Sequence, residues 1–113
     1  MEANTQRTSA QKHEWSGKSG AKYSYQVFVM GTTFNANAGN YIFTKRNAQG
    51  NHTPIYIGQT GDLSERFDGH HKMPCIKQNG ATHICVHTSS SNKKERLTEE
   101  NDLINIFSTS CNG

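Results

Sequence analysis

Apolar and polar residues alternate from Tyr23 to Met30, with Tyr23, Tyr25, Val27 and Val29 on one side of an expected strand. A loop from Gly31 to Ala38 leads to a second strand, Gly39 to Lys45. Arg46 to Thr53, with Asn47, Gly50 and Asn51, is the predicted connection to a third strand, Pro54 to Gly58. The period then changes. Leu63, Arg66, Phe67 and His70 follow i, i+3, i+4, i+7, and Asp62 with Glu65 has the spacing of a capping box. A helix is expected from Asp62 to about His71. Lys72 to Gly80, with Pro74 and Gly80, reads as irregular, and Thr82 to Thr88 as a fourth strand. Ser89 to Asn92 offers N-caps for a last helix running to about Phe107. The pattern predicts a single small α+β domain with a central, mainly antiparallel sheet of three to four strands flanked by helices.

Composition narrows the class. The 113 residues suffice for one domain, and the formal net charge of +3 is compatible with a polyanionic partner. Residues 1–22 are polar and read as a mobile arm that Trp15 anchors, with 23–113 as the folded domain. Cys75, Cys85 and Cys111 are odd in number and unclustered, so reduced thiols in a cytoplasmic protein are expected. No apolar run is long enough to span a membrane and no signal-peptide core is present. There is no Walker loop, dinucleotide fingerprint or Gly-x-Ser-x-Gly elbow. Cys85 and His87 with Cys75, His70 or His71 match no structural zinc spacing.

On the last helix, Leu97, Leu103, Ile104 and Phe107 share one arc, and Glu100 lies near its middle. A carboxylate there needs a cation, a metal or several hydrogen bonds. A structural ion pair with Arg66 and a functional role are both open. Glu99 sits at the edge of the arc and is expected in solvent. Arg66 and His70 share a face with Leu63 and Phe67, where a guanidinium can fork to two phosphate oxygens. His71 and Lys72 extend this basic edge. Tyr41 and Tyr56 face away from their isoleucine neighbours, either as packing or as a pair of phenols on one sheet face. Gly58 ends its strand where free backbone N–H groups favour an anion. His83 and His87 are expected to be exposed.

Taken together, these residues resemble the GIY-YIG nuclease family over roughly residues 39–112. Its first triplet corresponds to Gly39-Asn40-Tyr41 and its second to Tyr56-Ile57-Gly58. Arg66, His70, Glu100 and Asn112 fall where that family carries its helix arginine, a histidine or tyrosine, its metal-binding glutamate and its closing asparagine. Asn40 replaces an apolar residue, Gln59 stands where several members have lysine, and Thr109 where proline is common. The resemblance implies a GIY-YIG-like fold and hydrolysis of DNA phosphodiesters with one Mg²⁺ or Mn²⁺ ion and no small-molecule cofactor. It implies Glu100 as the metal ligand, Tyr41 as general base, Tyr56 as its hydrogen-bonding partner and Arg66 as the transition-state cation. His70 would act on phosphate or a proton. Gly58, Gln59, His71 and Lys72 would line the DNA, and Asn112 would support the site. With no added reading module, low sequence specificity or preference for a single strand, nick or flap is expected. The alternative is a nucleic-acid-binding module without turnover.

Overall fold

The computed structural model describes residues 11–65, 67–88 and 92–112, Asp68 by its backbone alone. Five strands form one antiparallel sheet: β1 (Lys12–Ser16), β2 (Lys22–Val29), β3 (Gly39–Arg46), β4 (His52–Thr60) and β5 (His83–His87), in the order β1-β2-β5-β3-β4. Alternation sends successive β3 residues to opposite faces. Tyr41 and Phe43 join Met73 and Ile76 of helix α1 (Met73–Gln78) on one face. Ile42 joins Ile57, Cys85 and Leu103 on the other, where helix α2 (Lys93–Ile104) packs. The α+β class and the flanking helices are as expected. No helix among the described residues is long and apolar enough to cross a membrane.

The fifth strand corrects the expected arm. Residues 12–16 pair in register with 22–26, and Trp15 is buried beside Phe107 with ring centroids 5.2 Å apart. Residues 1–10 lie outside the described residues. The sheet curls far enough that His13 on β1 and His52 on β4, strands at its two ends, bring their ring centroids within 5.2 Å. The β1–β2 hairpin is also tied to α2. Asp102 accepts hydrogen bonds from the backbone and hydroxyl of Ser19 and from the Tyr23 hydroxyl, at 2.8, 2.7 and 2.8 Å.

Asp62 starts no α-helix. Its carboxylate accepts from both the backbone N–H and the hydroxyl of Ser64, closing a local turn. The Leu63 N–H is drawn away to the Asn37 carbonyl at 2.7 Å. Only a 3-10 turn, Phe67–Gly69, follows. The spacing of Leu63 and Phe67 serves packing, since Leu63 is buried and Phe67 lies against Tyr41 and Phe43. The helix stands instead in the stretch expected to be irregular. Pro74 occupies the first turn of α1, where its missing N–H costs nothing, and Gly80 follows the end at φ +80°.

α2 begins where expected, with Asn92 Oδ1 accepting from the N–H groups of Lys94 and Glu95. Its inward stripe is rotated from the expected arc. Leu97 is 37% exposed, whereas Arg96 and Glu99 are 5% and 7% exposed. Polar groups from the strands meet that stripe and compensate its burial. The expectation of solvent-exposed Glu99 and His87 is therefore corrected. Tyr25 donates to Glu99 Oε2 at 2.5 Å, and His87 Nδ1 pairs with the same oxygen at 2.9 Å. His83 is half-buried, its ring 5.5 Å from that of His52.

The expectation of reduced thiols is corrected as well. Cys75 on α1 and Cys111 form a disulfide, with Cα atoms 5.9 Å apart. The pair is separated by 36 positions in sequence, and chain geometry brings it together. The tail runs along β4, where the Cys111 N–H donates to the Ile55 carbonyl at 3.1 Å. Cys85 remains a buried free thiol.

Candidate functional site

Tyr41 on β3 and Tyr56 on β4 reach the same face, their ring centroids 6.1 Å apart. Gly58 lies beneath them. A side chain there would place its Cβ 2.7 Å from the Tyr41 hydroxyl and 2.9 Å from the Tyr56 ring, so the phenols occupy the space a larger residue would need. Gly39 is constrained similarly, by Leu63 and by the His87 carbonyl. Both glycines of the paired triplets thus answer to close packing rather than to positive φ.

His70, in the loop after the 3-10 turn, hydrogen-bonds the Tyr41 hydroxyl through Nε2 at 2.8 Å. Its Nδ1 accepts the backbone N–H of Lys72 at 3.0 Å. A neutral imidazole with Nδ1 accepting carries its proton on Nε2. Nε2–H therefore donates to the Tyr41 oxygen and leaves the phenol's own proton for a further acceptor. Tyr56 is the neighbouring phenol on that face. Burial, then the Glu100 charge, raises the Tyr56 phenol. Tyr41 is raised by burial first, then by Tyr56 and Glu100. His70 is lowered, by burial and then by the nearby charges of His71 and Lys72.

Glu100, on α2, is half-buried, and burial raises its carboxyl. It finds no hydrogen-bond or ion-pair partner among the described residues. Two contacts hold the α2 turn that precedes it. Asn40 Nδ2 donates to the Arg96 carbonyl at 2.9 Å, and Arg96 Nε donates to Gln59 Oε1 at 3.0 Å. Gln59, expected along a substrate, thus has its oxygen engaged within the protein. The sequence reading noted Asn40 only as a departure in the first triplet and did not single out Arg96. Arg96 stands one turn before Glu100, which is the only sequence signal it offers.

Asn112 closes the outer edge of β4. Its side chain accepts from the Ile57 N–H and donates to the Ile57 carbonyl, both at 2.8 Å, between Tyr56 and Gly58. Thr109 donates to Asn112 Oδ1 at 2.6 Å, so the departure from proline supplies an added support. His71 is exposed and stacks on His70 at 4.7 Å, and Lys72 is half-buried. Arg66 lies outside the described residues.

Among the described residues no three His, Cys, Asp or Glu side chains converge to enclose a metal ion. One unpartnered carboxylate with phenol oxygens nearby is an all-oxygen set, which fits a hard cation that keeps most of its waters. Compared with protein-family models, with curated proteins and with solved structures, the chain has no match. The functional argument therefore rests on the chemistry of these residues.

Proposed function

We propose that the protein is a GIY-YIG-type endonuclease that hydrolyses DNA phosphodiesters with one divalent cation, Mg²⁺ or Mn²⁺, held by Glu100. The observation that carries this reading is the half-buried Glu100 carboxylate, without a hydrogen-bond or ion-pair partner among the described residues and close enough to raise both Tyr41 and Tyr56. A structural carboxylate at that position would be paired. When bound, the cation neutralises Glu100, lowers both phenols and stabilises charge on the leaving oxygen.

The protein's own groups divide the remaining work. His70 donates to Tyr41, which leaves the Tyr41 proton free to turn toward Tyr56, the less buried of the two phenols. In this order Tyr56 presents its oxygen to the attacking water. Tyr41, the base implied by family resemblance, supports the Tyr56 phenolate that takes up the proton. Arg66 supplies the transition-state cation, and His71 and Lys72 lie along the phosphate backbone. Low sequence specificity or preference for a single strand, nick or flap completes the reading.

Matched single- and double-stranded oligonucleotides incubated with Mg²⁺ or Mn²⁺ test it. Cutting by the wild-type protein that disappears in Glu100→Gln supports the nuclease. Binding that weakens with salt but never leads to cutting, on linear or flapped substrates, supports the non-catalytic module instead.

A further inference from the structure

The Cys75–Cys111 disulfide joins two segments that each end in a contact of the candidate site. On one side, Cys75 lies in α1, whose first turn is tied back to Lys72 by the Ile76 N–H at 2.9 Å. The Lys72 N–H in turn fixes His70, which holds Tyr41. On the other side, Cys111 precedes Asn112, which grips both polar groups of Ile57 between Tyr56 and Gly58. A single covalent bond therefore spans the supports of both tyrosines.

The two sulfurs differ in a way that suits exchange. Cys75 is half-buried, whereas Cys111 is 2% exposed. Asn79, at the end of α1, donates from Nδ2 to the Cys75 carbonyl at 2.8 Å and brings that nitrogen within 3.5 Å of Cys75 Sγ and 3.6 Å of Cys111 Sγ. An amide donor there stabilises a thiolate leaving from Cys111. Cys85 does not compete. It sits across the sheet among Trp15, Ile42 and Ile57, and burial pushes its thiol up to about 12.

We propose that Cys75–Cys111 is a thiol–disulfide exchange site for a small thiol of the glutathione class, and that its redox state sets the order of the tyrosine site. The regulatory half of this proposal rests on the nuclease reading. In the first step an external thiolate attacks Cys75 Sγ, the Cys75–Cys111 bond breaks and Cys111 leaves as a thiolate that takes up a proton. In the second, another thiolate attacks the external sulfur of the mixed disulfide and releases Cys75 as a thiolate, which is protonated in turn. Two external thiols become one disulfide, and the protein pair gains the two electrons. The reverse reaction with the oxidised small molecule closes the bond again. Without it the tail keeps, among the described residues, the packing of Cys111 in the core, its N–H bond to Ile55 and the Asn112 side chain on Ile57.

The test compares oxidised protein with protein reduced by glutathione, the state of each being verified by alkylation and intact mass. Amide exchange at Ile57 is read alongside oligonucleotide cleavage with Mg²⁺. Reduction is expected to speed Ile57 exchange and slow cleavage, each at least tenfold, and glutathione disulfide is expected to restore both. Unchanged Ile57 exchange after verified reduction overturns the proposal, as does faster exchange in a protein whose cleavage of DNA is measurable and unchanged. A pair that glutathione disulfide cannot close also overturns it. If neither form cuts DNA while Ile57 still responds, the nuclease reading fails and the exchange site stands. The Cys75→Ser/Cys111→Ser variant should match the reduced protein and ignore thiols. Chemically reduced wild-type protein carries the test if that variant does not fold.

Discussion

Glu99 and Glu100 are neighbours on α2, and the molecule treats them in opposite ways. Glu99 is buried and fully engaged, with the Tyr25 hydroxyl and the His87 ring both on its carboxylate. Glu100 is half-buried and has no partner among the described residues, yet its charge is felt by two phenols. A carboxylate that the fold satisfies is part of the fold. One that the fold buries and leaves unsatisfied costs stability, and such a cost is characteristic of functional sites. The α2 side is closed by Asp102, Glu99 and the aromatic pair Trp15–Phe107. The α1 side gathers Tyr41, Tyr56 and His70 around a glycine.

Exchanging the two carboxylates' roles by mutation gives the sharpest test. Glu100→Gln is expected to reduce cleavage by about a thousandfold or more while raising stability by up to about 1 kcal/mol, read by urea unfolding. Glu99→Ala is expected to cost about 3 kcal/mol, because it strands the buried Tyr25 hydroxyl and leaves a cavity under the helix. A Glu99 variant as stable as wild type would end the contrast. Next in size is Gly58→Ala. The added methyl collides with both phenols, so cleavage should fall about a hundredfold with a stability loss of about 1–3 kcal/mol. Retention of full activity would mean that the phenol positions are not critical. Tyr25→Phe removes one hydrogen bond from Glu99 and should cost about 1–2 kcal/mol, with metal-dependent cutting retained in the folded fraction.

The smallest effect concerns acid. His13, His52 and His83 are all held below the ordinary histidine value, His52 at about 4 through burial first and then the charges of His13, His83 and Arg46. Unfolding takes up protons wherever the folded ring resists them. Stability from this cluster is therefore full above about pH 6.5 and is lost as pH falls toward 4. These rings are partly exposed, so solvent screening limits the loss to about 1 kcal/mol. His52→Gln should flatten this part of the unfolding midpoint against pH. An unchanged slope would remove the cluster from the account.

Much of this was legible along the chain. Apolar, β-rich runs bounded by loop residues located β2 to β5 within two residues at each end, with the two-residue period explicit in β2. Alternation also placed Tyr41 and Tyr56 together, opposite their isoleucine neighbours. The Asn92 cap and the start of α2 followed from local hydrogen-bonding chemistry. What misled the reading was ambiguity between uses of the same residues. Asp62 with Glu65 resembles a helix cap, but the carboxylate binds Ser64 and closes a turn. Pro74 and Gly80 resemble a break, but they start and stop α1.

Residue types and periods by themselves determined the strands, the last helix, the phenol pair and the candidate carboxylate at Glu100. The tertiary structure alone decided the fifth strand, the curl of the sheet, the disulfide and the rotation of α2 that buries Glu99. It also decided that Asn40 and Gln59 steady α2 through Arg96. The physical reason is range. A strand's alternation and a helix cap are set by neighbouring residues. Whether a carboxylate is paired depends on tyrosine, histidine and arginine side chains brought from distant parts of the chain.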